Sequence, residues 1–311
     1  MLGRLGAQAV LPLCSALLCF LFAGIVFRQW WQRRRPYQLV WAFGLFCYAV
    51  AAGADAAGQF GGWSVATYRV WYFFGAIAAA AWLGLGELYL MPTSGFGELV
   101  ALGVFAGALP AVFTGGRMLG AHLDAPATAA VTIGIVGIAA AGILALVSWE
   151  RPALLGHAGL ALLAAGTLFA ATQVFGAVVD PAAMLDPATG IPHGEAFPQT
   201  VRLLTPLFNI GGALALLFGA VYSAWTYWRR RAYPHRLVSN ALIALGAFAP
   251  SLTSGLNRFG FTATFYVGEL LGVLLIFAGF LASHDVFARR PRTKDEGRMS
   301  DASSVLRPSS P

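Results

Sequence analysis

Residues 203–231 read LLTPLFNIGGALALLFGAVYSAWTYWRRR. From Leu203 to Trp228 this stretch holds no Asp, Glu, Lys or Arg, and it closes on Trp225, Trp228 and Arg229-Arg230-Arg231. A helix rises about 1.5 Å per residue, so ~20 apolar residues cross the ~30 Å hydrocarbon core of a bilayer. Indole rings followed by arginines are the interfacial anchor of such a span.

The same pattern recurs along the chain. Nine apolar segments stand near 9–27, 37–57, 70–90, 99–114, 127–147, 153–179, 203–225, 237–257 and 264–284. The fourth is the shortest and carries Pro110. Composition agrees: 58% of the 311 residues are apolar and 11% charged, and the mean hydropathy is +0.70. Soluble domains carry about 25% charged residues. These values exclude a soluble enzyme, a secreted disulfide scaffold and a disordered chain. The expected fold is all-α: a polytopic integral membrane bundle of about nine transmembrane helices, forming one domain over 1–284. Residues 285–311 are basic, then Ser/Pro-rich, and read as a disordered cytoplasmic tail.

The net charge of +7 follows from membrane topology, not from nucleic-acid binding, and no nucleic-acid partner is expected. With the N-terminus outside, fifteen Lys and Arg fall on inner segments and five on outer ones. That asymmetry predicts an N-out, C-in chain in the plasma (inner) membrane. Arg28 and Arg33-Arg34-Arg35 directly after the first segment mark it as a retained helix rather than a cleaved signal. The longest loop, Asp180 to Arg202, is then external; its four prolines predict turns instead of a helix.

Small residues recur at helical spacing. Asn209, Gly212, Leu216, Gly219 and Ser223 share one face of the seventh segment. Glu269, Gly272, Ile276, Gly279 and Ser283 repeat that order on the ninth, and Gly159, Leu162, Gly166, Phe169, Gln173 and Gly176 form a related stripe on the sixth. Glycine faces let helix backbones approach closely in lipid.

Ionisable groups inside a membrane are costly and mark sites by default. Glu269 shares the glycine face of its helix, and burial makes a carboxyl's protonation switchable. Asp55 lies near the outer end of the second segment, and Arg69 opens the third across a short hairpin, so an Asp55–Arg69 ion pair is expected. Gln173 and Asn209 fall at similar depth, as do Asn257 and Arg258. The reading is one outer polar cluster of Glu269, Asp55, Arg69, Gln173 and Asn209 that binds a ligand. The alternative is a set of separate interhelical hydrogen bonds. Glu87 shares a face with Ala76, Ala80 and Gly84 near the inner end; the first reading is a carboxyl close enough to water to need no partner, and the alternative is a helix contact or an inner gate. Pro250, followed by Ser251, Thr253 and Ser254, predicts a kinked or broken eighth helix.

The only Lys is Lys294, so there is neither a retinal Schiff-base lysine nor a Walker A lysine in any segment. His, Cys and carboxylates show no metal-ligand spacing, and Cys14, Cys19 and Cys47 read as packing residues. No catalytic residue, metal or cofactor is expected. The function expected first is binding or transport of a small solute or lipid ligand. The alternative is a non-catalytic membrane subunit or sensor that packs against a partner helix or a second copy. A lipid-modifying enzyme ranks behind both.

Overall fold

The computed structural model describes residues 2–91, 94–119, 125–230, 234–258 and 263–283, with the side chains of 251–258 and a few residues at helix ends excepted. The tail, the His122–Asp124 pair and the side chains of His235, Asn257 and Arg258 lie outside it.

The described chain is helical, with no strand. The long helices are α1 (Leu2–Arg33), α2 (Pro36–Gly61), α3 (Val65–Leu90), α4 (Ser94–Leu119), α5 (Ala125–Glu150), α6 (Leu155–Gly176), α7 (Leu204–Arg230), α8 (Pro234–Arg258) and α9 (Ala263–Ser283). Eight are long and apolar enough to cross a membrane; in α8 the apolar stretch among the described residues is shorter, Leu237–Pro250. The chain is a multi-pass helical membrane bundle. Helices suit lipid because they satisfy every backbone polar group internally.

The sequence expectation was shortest for the fourth segment, yet α4 runs for 26 residues straight through Pro110. The α8 helix likewise continues through Pro250 instead of breaking. Neighbouring helices compensate for a lost backbone bond at membrane depth.

Helix ends follow local chemistry. Between α1 and α2, Arg34 takes a left-handed φ of 52° and donates its N–H to Trp30 O at 2.7 Å. Its guanidinium lies 4.8 and 4.4 Å from the ring centroids of Trp30 and Trp31, a cation–π anchor. Ser64 caps α3 by accepting from Thr67 N–H at 3.1 Å.

The small-residue faces expected on α7 and α9 are helix contacts; on α6, Gly159 meets Leu85 and Leu88 and Gly166 meets Phe208, but a Cβ on Gly176 would meet nothing within 4 Å and Phe169 is exposed. Gly212 of α7 meets Gly84 and the Ala80–Ala81 backbone of α3 so closely that neither glycine has room for a Cβ. Toward the end that carries the Asp180–Arg202 loop the same seam continues to Asn209, whose side-chain N–H donates to Ala76 O at 3.3 Å. Toward the other end it continues to Gly219 against the Glu87 carboxyl and Ser223 beside Met91. On α9, Gly272 abuts Gly246 and Pro250, and Gly279 abuts Ser239 of α8. Ser239 donates to Gly279 O at 2.6 Å.

The helices α3 and α7 form the middle of the bundle. On one side stand α1, α2, α8 and α9, and on the other α4, α5 and α6. Residues Tyr72–Ala79 of α3 form a π-helical stretch, a rare widening that concentrates at functional places. The carbonyl that Asn209 caps belongs to it.

The loop from Asp180 to Arg202 forms turns, as its prolines require: short 3-10 turns at Pro181–Ala183 and Gly194–Ala196, and a single α turn at Gln199–Arg202. It is not a loose connection. Met184, Phe197 and Val201 join the core formed by Tyr68, Tyr72 and Phe73 of α3. Phe197 stacks 5.3 Å from Tyr68 and 4.6 Å from Tyr72 between centroids. The Tyr68 hydroxyl donates to His193 O.

Candidate functional site

Two of the five expected residues come together. Asp55 of α2 and Glu269 of α9 lie within electrostatic reach of one another. Asp55 is 2% exposed and Glu269 is partly buried. The helices bring them together because α9 packs on α1, and α1 on α2 along its whole length, with Cys19, Ala49 and Val273 forming the apolar floor.

Three groups complete the site. Tyr266, one turn before Glu269, donates its hydroxyl to Asp55 Oδ1 at 3.4 Å. Gln59, one turn after Asp55, places Nε2 at 3.0 Å from Tyr266 Oη and 3.3 Å from Asp55 Oδ1. Tyr48 lies deeper, near both carboxyls, and its hydroxyl has no hydrogen-bond partner among the described residues. Elsewhere, on α1, Ser15 Oγ is likewise buried and without a partner among the described residues. Unpartnered buried polar atoms carry a desolvation cost and call for an explanation.

The loop covers this site. Gln59 Nε2 approaches Gly190 O at 3.5 Å, and Gln8 of α1 donates to Thr189 O at 3.2 Å. Asp186 holds the tip, accepting from the N–H groups of Ala188 and Thr189 at 2.8 and 2.9 Å. These backbone donors hold its carboxyl below the usual carboxylate range. Gly190 takes a φ of +69°, which a side chain would strain.

The other three expected residues sit elsewhere. Arg69 does not pair with Asp55. Its Nη2 donates to Ala177 O at 2.6 Å, a carbonyl freed where α6 ends. Asn209 is committed to Ala76 O, and Gln173 reaches only Thr172 beside it, at 3.5 Å. Glu87 also departs from expectation. It is 3% exposed, packed against Gly219, and without a hydrogen-bond partner among the described residues. Its carboxyl is covered by α7 at Gly219.

Tyr266, Gln59 and Tyr48 were missed by reading the sequence for charge. Helical spacing carried the signal: Tyr266 precedes Glu269 by three residues, and Asp55 lies seven after Tyr48 and four before Gln59. Among the described residues, no basic side chain contributes to the surroundings of either carboxyl, and no group of three His, Cys, Asp or Glu could hold a metal ion.

Chemically, the site is rich in acceptors. Two carboxyls within electrostatic reach of each other inside a bilayer are costly to ionise together without compensating charge. A proton or a small cation supplies it, and the phenols and the Gln59 amide can reorganise around either. No protein family, curated protein or solved structure matches this chain.

Proposed function

We propose that this chain is a multi-pass transporter of a small solute, coupled to a proton or monovalent cation that binds between Asp55 and Glu269. The observation that carries the reading is the juxtaposition of these two carboxyls without a basic partner among the described residues, beneath a folded loop. Ionisable groups facing a bundle interior are the usual marks of ion and substrate paths. The fifteen-to-five split of basic residues supports an orientation in the plasma membrane with the loop and the carboxyl site toward the outer face.

The mechanism follows from the contacts. Binding a proton or cation at the pair removes the repulsion between Asp55 and Glu269. It also changes what Asp55 Oδ1 accepts from Tyr266 and Gln59. Gln59 connects that change to the loop through Gly190 O, so site occupancy and loop position are linked.

The test uses the whole protein in liposomes on a solid-supported membrane, with sodium-concentration and pH jumps as probes. The wild type should give a transient charge displacement with one of the two. Glu269→Gln and Asp55→Asn should each abolish it. Charge displacement unchanged in both variants would remove the coupling role and leave a non-catalytic subunit as the better reading.

A further inference from the structure

A cavity separate from the carboxyl site lies on the other side of the α3–α7 seam. It has a volume of ≈ 460 Å³ and is walled by α3, α4, α5, α6 and α7. Of its lining side chains only that of Thr132 is polar. A solute from water would find no hydrogen-bonding framework there, so the occupant is apolar.

The shape narrows the class. The lining runs from Thr132 to Leu144 on α5, from Gly159 to Phe169 on α6, and from Leu204 to Ala215 on α7. Ten to twelve residues at helical rise make a slot ~15–18 Å long, parallel to the helices. The volume divided by that length leaves a cross-section of ~25–30 Å², about 6 Å across, whereas a helix needs ~10 Å. The slot therefore takes one extended chain and no partner helix. One leaflet of a bilayer is ~15 Å of hydrocarbon, which matches the slot's length.

The entrance says where the chain comes from. At the loop-side end, the lining residues Thr132 and Val136 on α5 and Ala165 and Phe169 on α6 are exposed, Val136 by 57% and Phe169 by 51%. At the opposite end α5 and α6 are tied by the turn at Pro152–Leu154, with Leu144 and Leu155 in a shared core. These exposed lining residues give the slot a mouth toward lipid on the loop side. An empty slot forfeits dispersion contacts along its walls, and a hydrocarbon chain restores them.

We infer that this slot is a binding site for the hydrocarbon tail of a membrane phospholipid, which enters between α5 and α6 from the loop-side leaflet. The inference is independent of the transport reading, since it shares no side chain with the carboxyl site.

The test is photo-crosslinking of the intact protein in phosphatidylethanolamine liposomes doped with a phosphatidylethanolamine bearing a mid-chain diazirine. Adducts should concentrate on peptides carrying Val136 and Phe169, above those on Leu17 and Leu21, which are exposed on α1 outside any cavity. Ala165→Phe and Ala140→Phe, which narrow the entrance and the slot, should lower the Val136 and Phe169 adducts about tenfold and leave the α1 adducts unchanged. Native mass spectrometry of the wild type should find phospholipid retained. Uniform labelling of α1 and α5–α6 would overturn the inference even if both variants fail to fold. A retained free fatty acid or isoprenoid in place of phospholipid would overturn the assignment of the source.

Discussion

Replacing Glu87 by Met should stabilise the protein. The carboxyl is 3% exposed, lies on the α3–α7 seam, and has no hydrogen-bond partner among the described residues. A buried polar group left unpaired costs about 1–3 kcal/mol. Met is close to Glu in length and volume and adapts to irregular space, so the substitution removes that cost without opening a cavity. The expected gain is about 1–3 kcal/mol, read by reversible unfolding in mixed micelles. Glu87→Gln keeps the shape and an unpaired polar group, so it should gain little. A cycle with Gly219 sharpens the test, because a Cβ on Gly219 would come within 2.6 Å of Glu87 Oε2. Gly219→Ala should therefore couple to Glu87→Met by about 0.5–3 kcal/mol, the range for residues in contact. A loss of stability in Glu87→Met would refute the reasoning, because it would mean that the carboxyl has a partner, such as a bound ion or ordered water. A stabilised variant that has also lost charge displacement would identify Glu87 as a second functional carboxyl, retained at a cost in stability.

Two further outcomes are expected. A methyl added at Gly24 would meet nothing within 4 Å, whereas the same methyl on Gly212 would strike the backbone of Ala80 and Ala81; Gly24→Ala should thus stabilise by about 0.5–1 kcal/mol, and Gly212→Ala should destabilise by about 1–3 kcal/mol, in the same unfolding assay. The Asp186 carboxyl is held below its ordinary value of 3.8 by the N–H groups of Thr189 and Ala188, so its contribution to the loop is present above that value and is lost as pH falls through the lower folded-state value. The protection of the Thr189 amide, taken relative to its intrinsic exchange rate at each pH, should fall on acidification through that window in the wild type, and Asp186→Asn should flatten the dependence.

The spans and their contact faces were legible because both rest on one-dimensional signals: apolar length, and small residues at spacings of three and four. Gly212, Gly219, Gly272 and Gly279 all lie in the contacts that this spacing implies. What such signals do not contain is which helices are neighbours. Arg69, Gln173 and Asn209 share a depth with Asp55, yet depth did not bring them together. Arg69 and Asn209 each found a backbone carbonyl instead, at the end of α6 and in the π-helical stretch of α3. The widened helix left no mark in its sequence, YFFGAIAA. Tyr266 was hidden for another reason: a tyrosine near a span end reads as an interfacial anchor, and only its spacing from Glu269 distinguishes it.

The placement of polarity gives the α3–α7 seam its importance. Asp55, Glu269, Tyr48, Tyr266 and Gln59 lie in α2 and α9, and the lipid-sized slot lies toward α4, α5 and α6. Gly84 and Gly212 stand on the seam and line the slot, and Glu87 touches the same seam from within the core. At these glycines the two central helices meet backbone to backbone, and the Asn209–Ala76 hydrogen bond and the Glu87–Gly219 contact tie their register. A contact of that kind resists separation, because lipid cannot fill the space, and it makes a push on one helix felt by the other. A tail seated in the slot presses on α3 and α7 from one side, and charge compensation at Asp55–Glu269 relaxes α2 and α9 on the other. If the seam transmits either change, then narrowing the slot with Ala140→Phe should shift the sodium or proton concentration giving half-maximal charge displacement, though Ala140 touches neither carboxyl. An unshifted midpoint would show that the two halves work independently across a rigid seam.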